Sequence, residues 1–163
     1  MGRLQARLSL KGRALQLLAQ RDQSRLELCA KLLRHAAAED RARPEADAVD
    51  NAREIRRAEV EALLDWLEAN RYLSAERFVE SRVHAREARF GNRRIRAELA
   101  QHGVTLSAEA ARGLAESELQ RAAAVRERRF AGPPGDAAER AAQARFLAGR
   151  GFSPDVIQRL MRR

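Results

Sequence analysis

The sequence predicts an all-α protein: a tandem array of three three-helix repeats, elongated and curved. Three observations predict it. Ala, Leu, Arg and Glu, all strong helix formers, dominate the chain, and no alternating run of β-branched and polar residues is long enough for a strand. Cap and turn signals divide the chain into nine short segments of helical periodicity. A spacing then recurs, in which two residues four apart precede a small residue four further on. Its copies are Leu28, Leu32 and Ala36, then Ile95, Leu99 and Gly103, then Gln143, Leu147 and Gly151.

Residues 1–12 read as a basic N-terminal tail. The first repeat, 13–73, carries helices near 13–20, 24–36 and 56–70. Ser24 followed by Glu27 is a capping-box pattern, and Val60, Leu63, Leu64 and Leu67 form one apolar face. Between those helices Ala37–Arg57 has no apolar face and mixes Glu39, Asp40, Arg41, Arg43, Glu45 and Asp47. It reads as a polar insertion at about 37–57, partly disordered. Eight acids and five bases lie between Ala36 and Glu61, so this stretch is a poor phosphate binder.

The second repeat, 74–117, carries helices near 74–90, 92–102 and 107–116. Asn92 after Gly91 introduces the pair Ile95 and Leu99, and the last helix has only Ala111, Leu114 and Ala115 as its apolar side. The third repeat, 118–163, carries helices near 118–130, 136–149 and 153–162. Asp136 with Glu139 repeats the capping-box pattern, and Ser153-Pro154 places a cap before a proline at the first helical position. Gly103 and Gly151 are expected to end helices in the left-handed conformation, with His102 and Arg150 just before them and His35 in the same place before Ala36.

The 163 residues carry a net charge of +9, from 30 Arg and 2 Lys against 23 acids. A cationic chain favours a polyanionic or acidic partner. One cysteine, Cys29, excludes an internal disulfide and a multi-cysteine zinc site. The longest stretch without charge, Leu99–Ala108, is ten residues, half of what a membrane-spanning helix needs. Arg3, Arg7, Lys11 and Arg13 interrupt the N-terminus, which leaves no signal-peptide core. The expectation is a cytoplasmic monomer without membrane contact. Enzyme chemistry finds no support. The histidines His35, His84 and His102 do not fall at ligand spacing, Cys29 lies beside Leu28 as a core residue, and Gly132-Pro133-Pro134-Gly135 lacks the donors of a phosphate loop. No catalytic residue, metal or cofactor is expected.

The arginine clusters carry the functional signal. Arg82, Arg86 and Arg89 lie on one helical stripe, and Arg93, Arg94 and Arg96 follow on the next helix. Arg126, Arg128 and Arg129 end another helix. Val79, Val83 and Phe90 define an apolar face that Arg86 overlaps, so either Arg86 snorkels or the helix ends before Phe90. Few aromatic platforms lie near, which favours backbone or protein contact over base stacking.

These residues resemble the RecX family, regulatory proteins of the RecA recombinase. The resemblance runs over Ala14–Arg21, Ser24, Glu27 to Leu32, Tyr72–Phe78, Phe90–Leu99, Arg128–Phe130 and Gln143–Ser153, in that order and spacing. It implies a non-enzymatic role: docking on the recombinase filament on single-stranded DNA and restraining its ATP hydrolysis, strand exchange and co-protease activity. Arg77, Phe78, Arg82, Arg93, Arg94 and Arg96 are the leading expected contacts, joined by Arg86, Arg126, Arg128, Arg129 and Arg145. Where the family often has paired aspartates, this chain has Ser74-Ala75, with Glu76 the nearest acid. The rival reading is a general helical nucleic-acid-binding protein without a recombinase partner.

Overall fold

The computed structural model describes residues 8–41 and 51–162. Among these residues there are eight helices and no strand: α1 (Leu10–Gln20), α2 (Arg25–Arg41), α3 (Ala52–Ala69), α4 (Ala75–Glu87), α5 (Asn92–Gln101), α6 (Ala108–Glu127), α7 (Ala137–Gly149) and α8 (Pro154–Met161). The helices fall into two units, Met1–Phe78 and Val79–Arg163, and the boundary lies inside α4.

In the first unit Ala14, Leu28, Leu32, Val60, Leu64, Leu67 and Leu73 pack as one core. The α1–α2 turn is held by a buried amide. Gln23 donates to Leu17 O at 2.8 Å and accepts from Lys31 Nζ at 2.9 Å. Ser24 caps α2 by accepting from Glu27 N at 3.1 Å. The Glu27 carboxylate does not complete a capping box; it pairs with Arg21 and with Lys31. Burial alone would raise the Glu27 pKa, but the two cations outweigh it and hold the carboxyl at about 2. Arg25 clamps α2 to α3 by reaching Glu61, Asp65 and Glu68, one stripe of α3, at 2.7, 2.8 and 2.8 Å.

The helices of this unit run further than the sequence suggests. α1 begins at Leu10, inside the expected tail. α2 does not stop at Ala36 but continues to Arg41, because alanine supports helix where glycine would end it. His35 therefore lies inside the helix and faces Glu39 at 3.5 Å instead of capping an end. α3 begins at Ala52, and Arg56 bridges to Asp40 at 2.9 Å. Both ends of the expected insertion are thus helical, and its middle, 42–50, lies outside the described residues. The Leu67–Leu73 turn is a Schellman-type end: Arg71, at φ 59°, takes the left-handed place, and Tyr72 N donates to Leu67 O at 2.9 Å.

In the second unit Ala122, Val125, Leu147, Phe152, Val156 and Leu160 form the core, with Ile95, Leu99 and Leu114 also buried. α4 ends at Glu87, before Phe90, which removes the conflict between Arg86 and that ring. Two expected helices, 107–116 and 118–130, are one 20-residue helix, α6. No proline or turn separates them, and Ser117 bonds back to Gly113 O at 3.0 Å within the helix. The expected boundary between the second and third repeats therefore falls inside α6, whose first half carries Leu114 and whose second half carries Ala122 and Val125. Gly103 and Gly151 take φ 70° and 82°, and Val104 N and Phe152 N donate to Leu99 O and Leu147 O at 3.1 and 3.2 Å. These are the expected glycine-ended helices.

Candidate functional site

The second unit is organised around two short turns, Phe90-Gly91-Asn92 before α5 and Gly151-Phe152-Ser153 before α8. They run against each other. Gly91 N donates to Arg150 O and Arg93 N donates to Gly151 O, each at 3.0 Å. A Cβ on Gly91 would lie 2.2 Å from Phe152 N, and one on Gly151 would lie 2.5 Å from Arg94 Cβ. Only glycine permits this approach at both places.

Beneath the turns sits the Glu118 carboxylate of α6, 4% exposed. It accepts from Asn92 N at 2.9 Å, Ser153 N at 3.1 Å and Ser153 Oγ at 3.0 Å. One carboxylate thereby serves the N-termini of α5 and α8, where free N–H groups and the helix dipoles favour an anion. One turn along α6, Arg121 donates to Glu87 O, Phe90 O and Leu114 O at 3.2, 2.9 and 2.9 Å, and also reaches the Asn92 side chain. Burial lowers the Arg121 pKa, against the pull of Glu118 and Glu87. Neither Glu118 nor Arg121 stands out in the sequence. Both lie on a helix of ordinary composition, and most of their partners are backbone atoms of distant turns, which leave no trace in side-chain spacing.

This frame presents arginines. Ala88, Arg89, Val125, Arg128, Arg129, Phe146 and Arg150 line a pocket of about 210 Å³ with four guanidinium groups and no carboxylate. Arg128 is anchored by donating to Ala88 O, and Arg150 stacks on Phe146 at 4.6 Å from the ring centroid. The Arg150 Nε is buried and has no hydrogen-bond partner. Four cations around a cavity repel one another and leave donors unspent, an arrangement suited to a phosphate or carboxylate. Arg93 and Arg96 extend the basic surface along α5; both are exposed, without a side-chain partner among the described residues. Arg145 on α7 is likewise exposed and unpaired there. Arg94 is exposed and lies over the Phe90 ring at 4.3 Å.

The remaining expected contacts are placed differently. Phe78 is 1% exposed and belongs to the core. Arg126 is 8% exposed and turned inward. Arg82 and Arg86 share Glu98, at 3.2 and 3.0 Å, which fixes α4 to α5. Arg77 pairs with Asp22 at 3.3 Å and donates to Arg71 O and Tyr72 O at 3.1 and 3.0 Å, closing the turn before α4. Arg89 and Arg150, both in the pocket, were visible only as a stripe member and a helix end.

Burial and the nearby Glu61 carboxylate push the Cys29 thiol up, away from a nucleophile's range. Among the described residues no group of three His, Cys, Asp or Glu could hold a metal, and no helix is long and apolar enough to cross a membrane.

Comparison with known proteins places the chain. The model of the RecX third three-helix domain matches residues 116–161, from the middle of α6 through α8. A regulatory protein RecX from Ralstonia nicotianae is 46% identical over 156 residues, covering 94% of this chain and 87% of that one. The chain belongs to the RecX family. Another member, from Herbaspirillum seropedicae, is 47% identical over 93% of this chain and 88% of its own length. The RecX protein of Herminiimonas arsenicoxydans is 43% identical and covers 99% of this chain and 95% of its own. The crystal structure of RecX from Lactobacillus salivarius shares the fold at a TM-score of 0.63, with 15% identity and coverage of 94% and 92% of the two chains.

Proposed function

We propose that this protein regulates a RecA-type recombinase by binding its filament on single-stranded DNA and restraining ATP hydrolysis, strand exchange and co-protease activity. The second unit supplies the contact. The observation that carries this reading is the pocket walled by Arg89, Arg128, Arg129 and Arg150 without an acid, continued by Arg93, Arg94 and Arg96 on α5. Its donors suit phosphate oxygens or acidic side chains of a filament, and the family supplies the expectation of which filament. A bound protein favours whichever filament state presents those groups best, and it shifts the filament by that difference in affinity alone. Arg145 joins the surface from α7.

The test is titration into recombinase filaments on single-stranded DNA, with ATP hydrolysis as readout. The wild type lowers the rate. A variant with Arg89→Glu, Arg96→Glu and Arg129→Glu loses that effect while its far-UV helicity stays, because all three side chains are exposed. Arg41→Glu with Arg53→Glu, on exposed helix surface of the first unit, serves as the charge control and inhibits as before. Full inhibition by the triple variant would overturn the assignment.

A further inference from the structure

A neighbouring surface of the same unit shares Arg93 and Arg145 with the basic surface but has a different chemistry. On α7, Ala137, Ala141, Ala144 and Ala148 recur at the spacing of one helical stripe, and together they floor a groove of about 790 Å³. Its far wall is Ile157 and Met161 of α8. Methyl groups form the floor, so a backbone can come close, and the methionine can adapt to what it meets. No stacking face for a base lies in it apart from the edge of Phe152, which is 1% exposed. Its polar lining is Arg93, Arg140, Arg145 and Gln158, with one carboxylate, Asp155. None of the three guanidinium groups has a hydrogen-bond or ion-pair partner among the described residues.

We propose that this groove docks one helical segment of a partner protein, apolar along one side and acidic along its flanks. The alanine floor accepts the apolar side chains, as in other helix-in-groove contacts, and the three arginines pair with the flanking carboxylates. Groove size lies in the range of built binding sites, and an apolar centre with an arginine rim is the usual anatomy of a protein interface. The charge decides the occupant. Three cations against one acid repel a second copy of this chain, whose net charge is +9. A nucleic-acid strand would satisfy the rim but leave the methyl floor uncovered. The proposal does not depend on the filament reading, since it concerns a protein segment from any partner of this chemistry.

The experiment measures binding of a labelled helical peptide to the full-length protein by fluorescence anisotropy. The probe is a capped 14-residue peptide with leucines at i, i+3, i+4 and i+7 and glutamates on both flanks. A scrambled peptide of the same composition, without an apolar side, is the comparison. Ala141→Gln with Ala148→Gln raises the floor without changing charge, on exposed positions of α7. The proposal expects the amphipathic peptide to bind at least about tenfold more tightly than the scrambled one, and the double variant to lose at least about tenfold. It also expects single-stranded DNA binding to be unchanged by the double variant. Four results would overturn it: no binding of the amphipathic peptide, equal binding of the scrambled peptide, weakened DNA binding in the double variant, or a wild-type dimer in sedimentation that the double variant abolishes.

Discussion

Glu118 shows how one side chain can hold a turn that the recognisable motifs only decorate. Its two oxygens serve three donors on two turns, and water is excluded from them. Removing it leaves the buried N–H of Asn92 and the half-buried N–H and hydroxyl of Ser153 without this acceptor, so Glu118→Ala should cost about 2–3 kcal/mol. Thermal or urea unfolding of the single variant measures this, and a loss below half a kcal/mol would place the hold elsewhere. Gly91 makes a sharper case because the obstacle is backbone. Its φ is −81°, which any residue can adopt, so conformational freedom is not what requires glycine there. The requirement is space: a methyl would overlap Phe152 N and Cα at 2.2 and 2.3 Å. Gly91→Ala should therefore destabilise by about 2–3 kcal/mol, as overpacking against an immovable neighbour does. An unchanged unfolding midpoint would mean that the two turns do not run against each other as described.

At the scale of the element, the N-terminus of α2 is both charged and pH-sensitive. Glu27 lies in its first turn, next to Arg21 and Lys31, and its pKa falls from 4.5 to about 2 on folding. A depressed carboxyl contributes stability above its unfolded pKa and loses it as the pH falls through the folded one. The difference in melting temperature between the wild type and Glu27→Gln should be largest near neutral pH and should close between pH 4.5 and about 2. A constant gap across that window would show that Glu27 acts by packing alone. The helices themselves were mostly legible. Caps at Ser24 and Asp136, and glycine ends at Gly103 and Gly151, announce their boundaries by residue type. The boundaries that misled were those without such residues. Ala36 looks like a small repeat residue but continues a helix, and Glu116-Ser117-Glu118 carries a helix straight across a repeat junction. Arg71 is the opposite case, a left-handed end that no glycine marks.

Over the whole molecule the charge is unevenly divided, and this is where sequence and geometry complement each other. Residues 1–78 carry 15 basic and 13 acidic side chains, whereas residues 79–163 carry 17 and 10. The density of arginine from Arg77 to Arg96 was plain in the sequence, but not how each side chain is spent. Arg77, Arg82 and Arg86 close turns and join helices, Phe78 fills the core, and the free donors lie at Arg89, Arg93, Arg96 and around Arg150. Spacing places residues on a helix face but cannot say which carboxylate or carbonyl another helix brings to them. The resulting surface sets up a test between filament regulation and general nucleic-acid binding. Any protein of this charge binds bare DNA at low salt, and release of counterions makes that binding fade as salt rises. If the arginine surface neutralises about four phosphates of a single strand, affinity for bare DNA falls about 50-fold between about 50 and about 200 mM salt. Contacts to a protein filament include shape and apolar burial, which salt weakens far less. Inhibition of filament ATP hydrolysis should thus persist at a salt concentration where anisotropy shows bare single-stranded DNA to be released. Inhibition that falls in step with DNA affinity across the salt series would instead favour a general nucleic-acid binder, with the four-arginine pocket as its phosphate seat.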